Sequence, residues 1–140
     1  LSDSKGELSC LILSKDLKYL ISSIGQVNKE EYACIFIYDA NSFSLIRRLK
    51  LHPKGVQYIC LSNDNNYMVS LGTKKENSIC LWNLNDFSVI DMKTVKFSPF
   101  TAVIENRINT NSKISFITCS FDDITLWELN SSNKLENIVL

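Results

Sequence analysis

Neither sign of charge is in excess in this chain. Its 140 residues carry 15 Lys and Arg against 15 Asp and Glu, for a formal net charge of zero. Nucleic acid and anionic membrane surfaces are bound through a basic surplus, so neither is expected as a partner. Long apolar runs are also missing, and none approaches the roughly 18 residues that a membrane-spanning helix needs. The start, Leu1-Ser2-Asp3-Ser4-Lys5, has no initiator Met and no basic-then-apolar signal pattern. The expectation is a piece cut from something longer, with processing of the chain as an equal alternative. The four glycines (Gly6, Gly25, Gly55, Gly72) are isolated from one another. No phosphate-cradling glycine loop can be assembled from them, and no cofactor is expected.

Histidine is scarcer still, with His52 alone. A catalytic reading would need a Ser or Cys nucleophile and an orienting acid converging on it, and no such grouping is visible. Five cysteines (Cys10, Cys34, Cys60, Cys80, Cys119) are an odd number without a C-x-x-C pair. A disulfide framework or a zinc site would need clustered ligands. Each Cys lies in an apolar run, where it acts as a small hydrophobe, and a reducing, cytoplasmic setting follows. Neither an enzyme nor a metal site is expected.

What the chain does have is a recurring short apolar run, rich in Ile, Val, Leu, Phe and Tyr and closed by Asn, Asp, Gly, Ser or Lys. Such runs between turn residues read as strands buried on both faces. They fall at Leu8–Ser14, Lys18–Ile24, Ala33–Asp39 and Ser44–Leu49, then Val56–Ser62, Tyr67–Gly72, Ser78–Leu84 and Ser88–Met92. The last four are Thr101–Asn106, Ile114–Ser120, Ile124–Leu129 and Leu135–Leu140. Ser14-x-Asp16-x-x-Tyr19 returns as Ser62-x-Asp64-x-x-Tyr67, 48 residues on. The third strand of each set ends in an aromatic and a polar residue: Tyr38-Asp39, Trp82-Asn83, Trp127-Glu128. These aromatics are 44 and 45 residues apart. Four strands per repeat at a period of about 40–45 residues is the sequence mark of a propeller blade. A single four-stranded sheet cannot bury both faces alone, so the repeats must stack.

On these residues the chain resembles the WD40-repeat family. Leu51-His52 stands for the family's Gly-His, Ser62-Asn63-Asp64-Asn65 for its turn, and Trp82-Asn83 for its Trp-Asp. The resemblance implies an all-β fold, a β-propeller of four-stranded antiparallel blades. About three lie in this chain (8–49, 56–92 and 101–140), as an open part of a larger, seven-bladed or tandem protein. It also implies a hydrogen-bonded set inside each blade, made of a His, a strand Ser, a turn Asp and the Trp. His52, Ser70 and Trp82 match three places in the second blade, with no Asp at the fourth. Ser120, Asp122 or Asp123, and Trp127 match three in the last blade, with no His. Each set is therefore expected to be incomplete, leaving stability to apolar packing.

The nearest likenesses within the family are kinase-binding scaffolds and the WD-repeat proteins of cilia, flagella and microtubules. The implied function is a protein-interaction scaffold, in kinase signalling or, as the alternative, in a ciliary or microtubule-bound assembly. Partners would be kinases and adaptors or cytoskeletal proteins, and unclosed blades also allow self-association. Loops at one end of a propeller usually make the contacts. The residues expected on that rim are Lys29, Glu31, Lys54, Lys74, Lys75 and Glu76.

Overall fold

In the computed structural model, residues 6–26, 33–96, 98–105 and 114–140 are described. They form twelve strands in three antiparallel sheets, each a meander in chain order. The first sheet holds β1 (Glu7–Leu13), β2 (Tyr19–Gln26), β3 (Ala33–Asp39) and β4 (Leu45–His52). The second holds β5 (Val56–Leu61), β6 (Tyr67–Gly72), β7 (Ser78–Asn83) and β8 (Ser88–Thr94). The third holds β9 (Thr101–Glu105), β10 (Ser115–Cys119), β11 (Ile124–Leu129) and β12 (Leu135–Val139). The apolar runs thus form strands where expected. Three keep their expected limits, and the largest difference is at β4, which continues to His52.

The repeated Ser-x-Asp turn makes the same bonds twice. Ser14 Oγ donates to Asp16 Oδ1 at 2.6 Å, and the Tyr19 N–H donates to Ser14 Oγ at 2.9 Å. Ser62 Oγ donates to Asp64 Oδ1 at 2.5 Å, and the Tyr67 N–H donates to Ser62 Oγ at 2.9 Å. Each turn passes through one residue in the left-handed region, Leu17 at φ 59° and Asn65 at φ 59°. Asn tolerates that conformation because its short polar side chain can bond locally, whereas Leu has no such compensation.

The sheets stack face to face, with β5 packed on β1 and β2, and β9 on β5 and β6. Alternation along each strand of the middle sheet divides its side chains between two gaps. Met68, Cys80, Trp82 and Leu84 point to the first sheet and meet Ile21, Ile35, Ile37 and Leu49. Val69, Leu71, Ile79 and Leu81 point the other way, to Ala102, Ile104, Phe116, Trp127 and Leu135. Both faces being covered, β6 and β7 read as near-continuous apolar runs, with Ser70 as the polar exception in β6. The outer sheets depart from the expectation of burial on both faces. Leu11 and Leu13 of β1, Val103 of β9 and Ile138 of β12 are about half exposed or more. The reason is positional, since within these residues only the middle sheet has a neighbour on each side.

Candidate interaction surface

The meander fixes which connections share an end. Residues 53–55, 73–77, 95–96, 98–100 and 120–123 lie together at one end, opposite the Ser-x-Asp turns. Hydrogen bonds join some of them. The Thr73 N–H donates to the Gly55 carbonyl at 3.0 Å, and Thr73 Oγ1 donates to the Lys54 carbonyl at 3.4 Å. Gln57 Nε2 donates to Ser98 Oγ at 3.0 Å and to the Pro99 carbonyl at 2.5 Å. Gly55 sits at φ 121°, and a Cβ there would lie 2.3 Å from the Gly25 carbonyl oxygen. A side chain at this position would force the first two sheets apart.

Of the residues expected on this rim, Lys54, Lys74 and Lys75 are on it and exposed. Lys29 and Glu31 lie outside the described residues. Glu76 corrects the expectation, because its side chain turns inward and is only 8% exposed. Glu76 Oε1 lies 2.6 Å from His52 Nδ1, and the Lys54 N–H donates to Oε2 at 2.8 Å. Ser78 Oγ lies 2.9 Å from the same His52 nitrogen and also donates to Glu76 Oε1.

On its other side, His52 Nε2 lies 2.6 Å from Ser70 Oγ, which accepts the Trp82 indole N–H at 2.8 Å. With the imidazole neutral and its proton on Nδ1, every donor has an acceptor. Trp82 donates to Ser70, Ser70 to His52, and His52 to Glu76. The set expected to lack its acid is therefore complete in the second sheet. Glu76 supplies the carboxylate from the 73–77 loop in place of a turn Asp. Burial raises the Glu76 pKa, but hydrogen bonds from His52, Ser78 and the Lys54 N–H outweigh it and hold the group below its usual value.

The third sheet differs from expectation in another way. Trp127 Nε1 donates to Thr118 Oγ1 at 2.9 Å and not to Ser120. Ser120 Oγ instead donates to Asp123 Oδ1 at 3.1 Å, and Thr125 Oγ1 donates to the same oxygen at 3.2 Å. Asp122 is exposed, its N–H donating to Ser120 Oγ at 3.4 Å. So Ser120 and Asp122 belong to the turn, and Asp123 is the carboxylate in use there.

Register explains Thr118. Met68 pairs with Trp82, and Ser70 is two residues further along β6. Phe116 pairs with Trp127, and Thr118 is two residues further along β10. The shorter loop between β10 and β11 changes the spacing in sequence while leaving the spacing in the sheet unchanged. By count along the chain, Lys96 stands seven residues beyond Val89, the partner of Trp82, as His52 stands seven beyond Leu45, the partner of Tyr38. The gap between the second and third sheets therefore has no imidazole. It contains a cavity of about 350 Å³ lined by Trp127, Thr118, Thr125, Asp123, Lys93 and Lys96.

One feature of this end was not read from the sequence. Phe100 and Phe121 place their ring centroids 5.2 Å apart, with Phe121 82% exposed. Lys74 Nζ lies 5.4 Å from the Phe121 ring centre. The two rings are distant in sequence, and only the pairing of β9 with β10 brings them together.

Cysteine chemistry is quiet here. Cys10, Cys60, Cys80 and Cys119 are free thiols. Burial pushes the Cys60 thiol up to about 12 and raises Cys80 as well, so neither is a thiolate at neutral pH. Among the described residues, no three His, Cys, Asp or Glu side chains gather as a metal site, and no helix is long and apolar enough to cross a membrane.

No family model matches the chain. It is 30% identical over 131 residues to cilia- and flagella-associated protein 52 of Chlamydomonas reinhardtii, covering 91% of this chain and 20% of that protein. Over 125 residues it is 28% identical to WD repeat-containing protein 90 of Xenopus tropicalis, covering 89% of this chain and 6% of that one. The chain thus spans a fifth or less of the length of these relatives. Among solved structures it is similar to the β-propeller domain of Cps50 (Swd1) from Myceliophteria thermophila. That match has a TM-score of 0.76 at 19% identity and covers 98% of this chain and 40% of the other. Stacked four-stranded meanders and this close superposition make the three sheets blades of a β-propeller.

Proposed function

We propose that the chain is part of an interaction scaffold, with the loops around residues 53–55, 73–77, 95–96, 98–100 and 120–123 as its contact surface. The observation that carries this reading is a division of labour among polar groups. The groups that resemble catalytic machinery are committed to holding blades, and His52 at their centre is 1% exposed. The groups left facing solvent, Lys54, Lys74, Lys75 and two phenylalanines, are suited to grip a surface. The reading is a binding protein without a reaction of its own, in the cytoplasm or on a cytoskeletal assembly.

Two refinements follow from the likenesses. A ciliary, flagellar or microtubule-bound assembly is supported by the names of the relatives matched over most of this chain. A kinase-pathway scaffold rests on likeness of sequence alone, in His52–Ser62, Tyr67–Gly72 and Thr101–Val103. The ciliary reading is therefore preferred. In it the blades spanning 8–49, 56–92 and 101–140 form part of a larger ring, whose other blades or a second copy cover Leu11, Leu13, Val103 and Ile138.

Affinity capture of the whole protein from its own cells, with mass spectrometry of what accompanies it, tests the reading. Tubulin or axonemal motor components are the expected companions. Recovery of kinases and adaptors instead would replace the ciliary refinement by the signalling one. A protein that comes down alone would contradict the scaffold.

A further inference from the structure

We propose that Phe100, Phe121 and the lysines beside them form a docking site for a short acidic segment of a partner protein carrying a bulky apolar side chain. This rests on the scaffold reading and names the chemistry of its contact. Large aromatic side chains are normally turned inward, and Phe121, at 82% exposed, is the most exposed large hydrophobic side chain among the described residues. It is not a single stray ring. Phe100, 42% exposed, stands against it with centroids 5.2 Å apart and planes inclined at 50°. Two tilted rings offer a corner into which a third ring, or a Leu or Ile side chain, fits with favourable edge and face contacts.

Charge decides the class of partner. Lys74 Nζ lies 5.4 Å from the Phe121 ring centre, and Lys75 and Lys54 are exposed on the adjoining loops. Four acidic residues are described at this end, Glu7, Glu76, Asp122 and Asp123, and two are already engaged. Glu76 accepts from His52, and Asp123 accepts from Ser120 and Thr125. Asp122 and Glu7, the first residue of β1, are exposed there, against exposed Lys54, Lys74, Lys75 and Lys96. The described part of the rim is therefore positive around an apolar centre, although the chain as a whole is neutral.

The opposite end is mixed in charge, with exposed Lys15, Lys18 and Lys134 beside its acids. Its turns present Asp16, Asp39 and Asp86, each held below the usual carboxylate range chiefly by hydrogen bonds from the Ser hydroxyls or backbone N–H groups of its own turn. An acidic segment is thus drawn to the rim by its exposed lysines. The rings supply the contact energy, since central aromatic anchors carry most of the affinity of such sites.

The test uses the whole protein as its cell makes it. The probe is a fluorescein-labelled peptide of Asp and Glu with one central Trp, read by anisotropy. The same peptide with Ala for Trp, one with Lys for the acids, and a single-stranded oligonucleotide serve as comparisons. The Trp peptide should bind tightest, and raising the salt should weaken it. Phe121→Ser should weaken it by about tenfold or more, and the pair Lys74→Glu and Lys75→Glu by a similar factor. Melting should be unchanged in both, because these side chains are exposed.

Equal binding of the Trp and Ala peptides, or binding that Phe121→Ser leaves intact, would overturn the proposal. So would tighter binding of the oligonucleotide. If the peptide fails while partners are still captured from cells by the Phe121→Ser protein, the acidic-segment assignment falls and the scaffold reading stands.

Discussion

Trp82 and Trp127 occupy matching places on β7 and β11, yet the bonds they make have different reach. Trp82 is 3% exposed and begins a chain of donors ending at Glu76, whereas Trp127 is 5% exposed and donates to Thr118 alone. Truncating either to Ala should cost roughly 3–5 kcal/mol in chemical denaturation, the usual range for a buried large aromatic. Near-wild-type stability of either variant would remove that residue from the core.

The sign of a pH effect follows from Glu76. Its folded-state pKa lies below the ordinary value of 4.5, so the stability it contributes is present above pH 4.5 and is lost as pH falls through the folded value. Glu76→Gln should therefore flatten the acid limb of the stability–pH curve. A curve parallel to wild type below pH 4.5 would count against that ionised role. The Trp, Ser and His of this set were legible as a motif, because their residue types and rough spacing recur in such blades. The acid was not, since Glu76 reaches His52 from a loop whose path depends on its folded conformation. Thr118 was missed for a related reason: its place is fixed by counting along paired strands, and loop length hides that count in the sequence.

Strands and their turns were the most legible level. Asx-type turns close the β1–β2 and β5–β6 hairpins locally, so Ser14-x-Asp16 and Ser62-x-Asp64 announced where β1 and β5 would end. What stayed hidden was which strands are covered on both sides. An apolar run looks the same whether one face or two are buried, and β1 with β12 read like β6 until the stacking was known. The repeated turn also supplies an experiment. Leu17 and Asn65 share one left-handed conformation, and Leu17 is 60% exposed, with little packing to lose. Leu17→Asn should stabilise the fold by up to about 1 kcal/mol by relieving the left-handed strain. A loss of stability in thermal melting would mean that Leu17 makes a contact this account does not include.

The whole molecule is a stack with two unlike ends and two partly uncovered sides. Exposed Leu11 and Leu13 on one outer sheet and Val103 and Ile138 on the other are surfaces that monomeric proteins seldom leave open as patches. Produced by itself, this 140-residue chain should self-associate and bind a hydrophobic dye. A clean monomer in light scattering without dye binding would contradict that.

The central claim, that three blades stack with the middle one buried on both faces, is tested most directly by amide hydrogen exchange on the same chain. Amides of 68–71 and 79–81 should exchange slowest, and those of β1 and β12 markedly faster. Uniform protection across the twelve strands, or faster exchange in the middle sheet than in the outer two, would contradict the stacked-blade account.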